Sequence, residues 1–283
     1  MRKSDDAAQM ILIASFAIGM AVVVLTLMLN SIIFASNTAS ESNVETNVYD
    51  YSNTVQVTVE AYEKAYSYSY NGSVNDAKFN DYIGVFSRKM TESCAFCGVI
   101  YTIEHGDFQE PYFTQNGLID GKANWTVIER INNTDTFMVA INSTAFTNGT
   151  VFSVEAFDLS GTIWSAKFVR SGINVNVSVT DGVTVLDTYS SSSGEMNISS
   201  NLIDGSSFFN YYFNDETAGK TYSIRFINGS ATSGTFLIAG DTINGNQFEI
   251  ERIDVVETRI EMVKNGNLKM NALIPITLPK GQA

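Results

Sequence analysis

The hydrophobic and polar positions along the chain predict a membrane-spanning helix near the N-terminus. Residues 7–40 carry no charge, and Met10–Leu29 is apolar except for two hydroxyl residues. Twenty helical residues span about 30 Å, the thickness of the hydrocarbon core of a bilayer. The sequence therefore predicts a transmembrane helix over residues 10–34, preceded by a short cytoplasmic segment over residues 1–9.

The positive charges on either side of this segment predict its orientation. Arg2 and Lys3 precede it, and the next positive residue is Lys64. Because cytoplasmic flanks are enriched in Lys and Arg, we expect a single-pass protein of the cell membrane, with the lipid bilayer as a partner and the C-terminal domain outside. A cleaved signal peptide is the disfavoured alternative, because the apolar run exceeds 7–15 residues and no A-x-A site closely follows it.

Small residues recur four positions apart within the predicted span. They form two pairs, Ser15 with Gly19 and Ala17 with Ala21. Such pairs allow two helices to approach closely in a membrane or in the core of a filament. Chance in a segment rich in small residues is the competing explanation.

After the anchor, the apolar spacing changes to one that predicts further helices. Steps of three and four residues run from Val44 to Tyr66 and indicate a second helix or an extension of the anchor into a stalk, with a strand over Val55–Val59 as the minor alternative. Ser73 with Asp76 resembles an N-terminal capping pair, and the apolar face that follows predicts a helix over about Asn75–Thr91. Residues 35–93 are thus predicted to form a helical stalk.

From Gly98 onward, short runs with strand character alternate with turn residues. This pattern predicts an antiparallel, sandwich-like β domain over residues 94–283. The stretch Ser190–Gly194 either divides that domain in two or forms a long hairpin loop. The predicted strands are Gly98–Ile103, Trp125–Ile131, Thr136–Ile141, Val151–Phe157, Ile163–Arg170, Ile173–Val179, Val183–Tyr189, Phe208–Phe213, Thr221–Ile227, Gly234–Ile238, Phe248–Val256 and Arg259–Val263.

The acidic charge of the chain disfavours nucleic acid as a partner. The formal net charge is −13, and the residues before the hydrophobic segment contribute none of it. A negative surface repels phosphate groups, so we predict no nucleic-acid binding. Solubility alone also explains this charge.

Acceptor motifs for N-glycosylation are frequent in the predicted exterior domain. A glycan at an Asn-x-Ser/Thr motif is a surface feature of exported proteins, and an unmodified surface rich in Asn and Thr is the alternative. The eight candidate sites are Asn71, Asn124, Asn132, Asn142, Asn148, Asn176, Asn197 and Asn228.

The two cysteines form a lone CxxC motif, Cys94 and Cys97. The motif falls where a predicted helix ends and a strand begins, whereas a redox CxxC opens a helix. We expect a short structural disulfide in an exterior domain. Zinc is the minor alternative, with His105 and either Glu104 or Asp107 as further ligands, and no cofactor is predicted.

No motif of a known catalytic mechanism is present in the sequence. There is a single histidine, and the G-x-S-x-G, H-E-x-x-H and P-loop patterns are absent. Glu249 and Glu251 alternate with apolar residues and are interpreted as the solvated face of a strand, although a pair of glycosidase carboxylates distant in sequence stays open. The aromatic run Phe208–Phe213 is interpreted as a strand buried on both faces, with a sugar-stacking surface as the alternative.

The N-terminal 40 residues resemble those of archaeal pilin-like surface proteins. The likeness lies in the charged segment from Arg2 to Gln9, the long apolar run Met10–Leu29, and the continuation Leu29–Phe34. It implies removal of a charged leader and assembly with other pilin-like subunits through the hydrophobic helix, and the bond after Asp6 is taken as a trial cleavage point. No Lys-Gly or Arg-Gly pair marks the cleavage point.

Two functions are therefore expected from the sequence. The first is a membrane-anchored, pilin-like structural or assembly protein, and the second is an anchored binding module such as an adhesin or an envelope receptor. An anchored glycan-active enzyme is the least favoured of the alternatives.

Overall fold

The computed structural model describes residues 51–264 and 268–279. The chain divides into two units at Val57 and Thr58, and of the first unit only residues 51–57, all helical, are described. The helices are α1 over residues 51–69, α2 over Asp76–Phe96 and α3 over Phe213–Thr217. The strands are β1 Val99–His105, β2 Trp125–Ile141, β3 Val151–Asp158, β4 Gly161–Ser171, β5 Asn174–Thr180, β6 Val185–Ser191, β7 Glu195–Asn197, β8 Leu202–Ile203, β9 Ser207–Phe208, β10 Tyr222–Ile227, β11 Gly234–Thr242, β12 Gln247–Arg252, β13 Asp254–Lys264 and β14 Leu268–Leu278.

The predicted membrane topology is contradicted by the helices of the structure. None of the helices within residues 51–264 and 268–279 is long and apolar enough to cross a bilayer. The fold class and the cell-membrane localisation predicted from the sequence are corrected accordingly. The predicted span Met10–Leu29 and its packing residues, Ser15, Gly19, Ala17 and Ala21, lie outside the described residues.

Helix α2 starts one residue after the asparagine that caps it. The Asn75 side chain accepts a hydrogen bond from the amide of Lys78, and Asp76 places a negative charge in the first turn. Both features stabilise a helix N-terminus. The predicted helix is confirmed, but Asn75 caps it in place of Ser73, and it continues to Phe96.

The first two helices pack against a sheet rather than forming a stalk. Strands β1, β13 and β14 form a three-stranded antiparallel sheet in the order β1-β13-β14. A buried cluster joins Tyr62 and Tyr66 of α1 and Phe79 of α2 to Val256 and Ile276 of the sheet. The predicted stalk is therefore wrong for these helices, because their three- and four-residue apolar spacing faces a sheet.

The larger sheet contains the other eleven strands of the described chain. Strands β3 to β6 form an antiparallel meander, and β10 joins this meander to β2. Strand β2 pairs with β10 through its first half and with β11 through its second half. Arg130, with a φ of 55°, lies at the register shift of the β10 pairing, one residue before Ile131, which pairs with both β10 and β11. The predicted strands Trp125–Ile131 and Thr136–Ile141 are thus one continuous strand.

Aromatic side chains fill the core of the larger sheet. Trp164 is fully buried, and its indole N–H donates to the carbonyl of Tyr211 at 2.7 Å. Phe213 contacts Trp164 edge-on with ring centroids 4.9 Å apart. The strand predicted over Phe208–Phe213 is wrong, because only Phe208 lies in a strand and the chain then continues irregularly into α3. Phe208 is exposed, so the run is not buried throughout.

The serine-rich stretch Ser190–Gly194 is held in place by a carboxylate. Asp204 accepts hydrogen bonds from the Ser191 hydroxyl at 2.6 Å and from the amides of Ser192 and Ser193 at 3.0 Å. These bonds lower the pKa of Asp204, although desolvation by burial is the largest single effect and acts in the opposite direction. The stretch ends β6 and turns into β7 within one compact unit.

Candidate ligand-binding groove

One face of the larger sheet is only partly covered, and it forms a groove. Strands β12, β11, β2 and β7 lie side by side in antiparallel register. Directly paired residues share a face of a sheet. The register therefore places four side chains in one row across the groove: Glu251, Leu237, Met138 and Asn197.

The opposite face of the same strands is buried and anchors them. Phe236, Val139 and Met196 form the row beneath the groove, and each is at most 3% exposed. Leu237 and Met138 are next in sequence to Phe236 and Val139, and their apolar side chains face the groove instead of the core. A sheet with one packed face and one open face normally places polar residues outward. The apolar outward residues are therefore a feature that folding alone does not require.

The apolar end of the groove is a cavity of about 490 Å³. Met138, Leu237 and Ile253 line it, and the Met138 side chain is 43% exposed. Tyr70 also lines it and stacks on Tyr66 with ring centroids 5.4 Å apart. An aromatic ring held by a second ring loses little conformational freedom when a ligand packs on it.

The acidic end of the groove is a second cavity, of about 690 Å³, between α1 and strands β11 and β12. Asp135, Glu249 and Glu251 line it together with Glu63, and Lys64 is the one cation among the described residues that line it. Glu251 lines both cavities, so the apolar and acidic ends meet at its side chain. The groove can thus hold a ligand that combines an apolar part with a positive charge.

Burial and a neighbouring carboxylate act on Glu251. Desolvation raises the pKa of Glu251, and the negative charge of Glu249, two residues away on β12, raises it further. A carboxylate with a raised pKa gains when a cation approaches it. The nearby Asp254 also has a raised pKa, mainly through desolvation, and it accepts a hydrogen bond from the Tyr66 hydroxyl at 2.8 Å.

A buried arginine fixes the strand that carries Glu251. Arg252 is 6% exposed, and its guanidinium donates to the carbonyls of Thr114 at 2.5 Å and Gln115 at 2.9 Å. It also lies over the rings of Trp125 and Phe236, 5.3 Å from each centroid. Burial lowers the pKa of Arg252 to about 10. Because side chains alternate along a strand, this anchor directs Glu251 into the groove.

The predicted disulfide is not formed. Cys94 lies in the last turn of α2 and Cys97 is its C-cap, and both thiols are free. Desolvation raises the pKa of Cys94, and Cys97 raises it further. The expectation of a short structural disulfide is therefore corrected: Cys94 is still part of the helix, and Cys97 is exposed at its C-terminal end.

The only histidine of the chain serves the packing of the helices. His105 contacts the rings of Tyr62 and Phe79 edge-on, with centroids 5.6 and 5.7 Å apart. Its Nδ1 is 2.9 Å from the carbonyl oxygen of Gly106, so Nδ1 carries the proton in this contact. The alternative zinc site with Glu104 or Asp107 is not assembled, and no group of three metal-ligating side chains occurs among the described residues.

The eight glycosylation motifs differ in how the structure uses their amide groups. The Nδ2 of Asn142 donates to Glu110 at 2.6 Å, and the Nδ2 of Asn228 donates to the carbonyl of Val151 at 2.8 Å. Asn197 lies half-buried at the apolar end of the groove. The other five are exposed: Asn71, Asn124, Asn132, Asn148 and Asn176. Glycosylation of these sites stays a prediction.

Sequence reasoning singled out Glu249 and Glu251 but interpreted them as the solvated face of a strand, and it assigned no residue to a groove. Glu249 is exposed, as a solvated strand face requires, but Glu251 is half-buried between the two cavities. No sequence pattern marked the apolar groove residues Met138, Leu237 and Tyr70 as part of a site, because the residues around them come from distant parts of the chain. An outward apolar position on a strand beside outward acids is the only local sign of such a groove.

Comparisons with known proteins returned no relative. No protein-family model, no curated protein and no solved structure matches this chain. The resemblance of the first 40 residues to archaeal pilin-like proteins stays a prediction.

Proposed function

We propose that this protein is a binding module whose groove holds a cationic, partly apolar segment of a partner protein. Such a segment presents a lysine or arginine to Glu251 and Glu249 and an apolar side chain to Met138 and Leu237. The observation that carries the proposal is the position of Glu251, which lines both the acidic and the apolar cavity. A ligand with only one of the two properties fills only half of the groove.

Three features of the groove suit an extended polypeptide. It follows one row of side chains across four strands, from Glu251 to Asn197. Its two cavities, about 690 and 490 Å³, are in the size range of pockets for small ligands or side chains. The buried row below it and the Arg252 anchor hold the strands, so binding orders few groups and loses little entropy.

The structural or assembly role predicted from the sequence rests on residues outside the described part of the chain. It stays a prediction, as does the expectation that the protein is not an enzyme. The binding role rests instead on side chains within residues 58–264.

The proposal is tested by titrating the full chain with two defined peptides in a calorimeter. One peptide alternates lysine with leucine, and the other alternates glutamate with leucine, so the two carry opposite charges at the same spacing along the same apolar pattern. We expect measurable binding of the lysine peptide and at least a tenfold weaker response to the glutamate peptide at 0.15 M salt. Equal binding of both peptides, or binding of neither, would contradict the proposal.

Two variants connect that binding to the groove. Glu251→Gln keeps the side-chain shape and removes the charge, and we expect it to weaken binding of the lysine peptide about fivefold. Met138→Ala removes apolar contact area and should weaken it by a similar factor of about five. Glu129→Gln is the matched control, because Glu129 is an exposed acid on β2 outside the lining of the groove.

A further inference from the structure

The free edges of the two sheets differ in how they are protected against pairing with another chain. An unpaired strand edge presents backbone donors and acceptors to any extended segment, and proteins block it with proline, lysine, short strands or a covering element. In the small sheet, β14 contains Lys269 and Pro275. The edge of β1 is covered by α2, since the Thr91 hydroxyl donates to the Tyr101 carbonyl at 3.2 Å.

In the larger sheet, one edge lacks these protections. Strand β9 has only two residues, and β12 carries the acidic pair Glu249 and Glu251. Strand β6, Val185–Ser191, has seven residues, no proline and no lysine, and Asp187 is its only charged residue. Within the described part of the chain, β5 is the only strand that pairs with β6.

A side-chain hydrogen bond identifies which backbone groups of β6 point to the free edge. The amide of Thr188 donates to Oδ1 of Asp187 at 2.8 Å, and Thr188 is exposed. Backbone groups alternate in direction along an antiparallel strand. The N–H groups of Thr188 and Ser190 therefore point away from β5. The N–H group of Tyr189, which lies opposite Val177, points toward β5.

We propose that β6 is a self-association edge, at which a second copy of this chain adds its own β6 antiparallel to the first. The twofold register is centred on Thr188. It sets Thr188 opposite Thr188 of the second copy, Leu186 opposite Ser190, and Asp187 opposite Tyr189. This register places no two like charges opposite each other. Twofold pairing of identical surface patches is also the commonest way in which soluble chains associate.

Asp187 limits this association. Its carboxylate already accepts the Thr188 N–H, the donor at the centre of the twofold register. A docking strand has to displace that contact before it forms its own bond. Asp187 thus hinders strand addition at this edge, as an inward lysine or a proline does at other edges. The hindrance is reversible, because a docking strand can displace the hydrogen bond between the Thr188 amide and Asp187.

The test is sedimentation equilibrium of the full chain over a wide range of concentrations. We expect a reversible monomer–dimer equilibrium for the unsubstituted chain and about fivefold tighter dimerisation for Asp187→Ala, because one competing hydrogen bond is removed. Asp120→Ala is the matched control, since it makes the same change in net charge at an exposed loop position. It should leave the dimerisation constant within about twofold, since surface charges act weakly on association at 0.15 M salt.

Two further variants block the edge. Thr188→Pro removes the central N–H without removing a bond to β5, and Thr188→Lys sets two positive charges opposite each other. Both should abolish the dimer while the circular dichroism spectrum stays unchanged. A chain that stays monomeric even as Asp187→Ala, or a dimer that persists in a folded Thr188→Lys variant, would overturn the proposal.

Discussion

Arg252 donates a hydrogen bond of 2.5 Å to the carbonyl oxygen of Thr114, a residue 138 positions earlier in the chain. This contact ties the irregular segment before β2 to β12 on the buried face of the sheet. The next residue toward the N-terminus, Glu251, faces the groove. Arg252, a buried cation, therefore anchors the strand that presents Glu251 to the groove.

Replacing Arg252 with lysine should destabilise the fold. Lysine has no planar guanidinium, so it cannot hold the fixed fork that donates to both carbonyls while lying over the rings of Trp125 and Phe236. We expect the free energy of unfolding to fall by about 2–3 kcal/mol, the range for losing hydrogen bonds to a buried charged group. Urea denaturation measures this loss. Arg259→Lys, at an exposed position, is the control and should change little; an equal loss in both variants would contradict the role of Arg252.

Replacing Asp204 with asparagine should destabilise the chain in a pH-dependent way. Hydrogen bonds from Ser191, Ser192 and Ser193 outweigh desolvation and lower the pKa of Asp204 below its ordinary value of 3.8. An acid with a lowered pKa stabilises the fold above its ordinary pKa, and this contribution is lost as pH falls through the folded-state pKa.

The unsubstituted chain should therefore exceed Asp204→Asn in stability by about 1–2 kcal/mol at pH 7. Urea denaturation at pH 7 and at pH 3 measures whether this difference shrinks on acidification. Asp107→Asn, at an exposed position, is the control. A difference that grows as the pH falls would be inconsistent with the hydrogen bonds assigned to Asp204.

Replacing Glu251 with glutamine should stabilise the chain while weakening its binding. Desolvation, and then Glu249, raise the pKa of Glu251 above its ordinary value of 4.5. The ionised form is thus disfavoured in the folded state, and stability decreases as pH rises from the ordinary pKa through the raised one. Glu251→Gln should have the higher thermal midpoint at pH 7 and no advantage below pH ~4.

A higher midpoint for Glu251→Gln would mean that the carboxylate is retained at a cost in stability, as functional residues often are. Glu129→Gln should show no such gain at the same pH, because Glu129 is exposed. If Glu251→Gln instead lowered the midpoint at neutral pH, Glu251 would have a stabilising role that the groove does not explain.

The two cysteines should both react with a thiol reagent in the native protein, at different rates. Both are free, Cys97 is exposed and Cys94 is half-buried with a raised pKa. Because the thiolate is the reactive form, Cys97 should be labelled first. Mass spectrometry of partly labelled protein identifies the modified residue. A native chain with no reactive thiol would restore the predicted disulfide.

The local patterns of the sequence predicted the strands better than their pairing. The strand predicted over Ile163–Arg170 is confirmed as β4, although its residues from Ile163 to Ala166 are all buried and exposure alternates only around Lys167. Strand β14 was missed, since Lys269 and Pro275 interrupt its apolar pattern. The aromatic run Phe208–Phe213 has no period, and its residues enter the core from an irregular segment, a packing that no local pattern encodes.

The groove could not be predicted because it depends on register between distant strands. Leu237 pairs with Glu251 across a hairpin, but Met138 joins them from a strand about a hundred residues earlier. Pairing of this kind is fixed by burial of the opposite face, which the sequence shows only as alternation. The acids on β12 were visible in the sequence, whereas the cavity that Glu251 lines together with Tyr70 was not.

The most direct test of the binding proposal is a methyl NMR titration of the full chain, labelled at its methionine methyl groups, with the lysine–leucine peptide. Met138 lies at the apolar end of the groove, and Met90 lies on α2, outside the lining of both cavities. We predict a saturable shift of the Met138 resonance with no change at Met90. If the peptide binds and the Met138 resonance does not move, the groove is not the binding site.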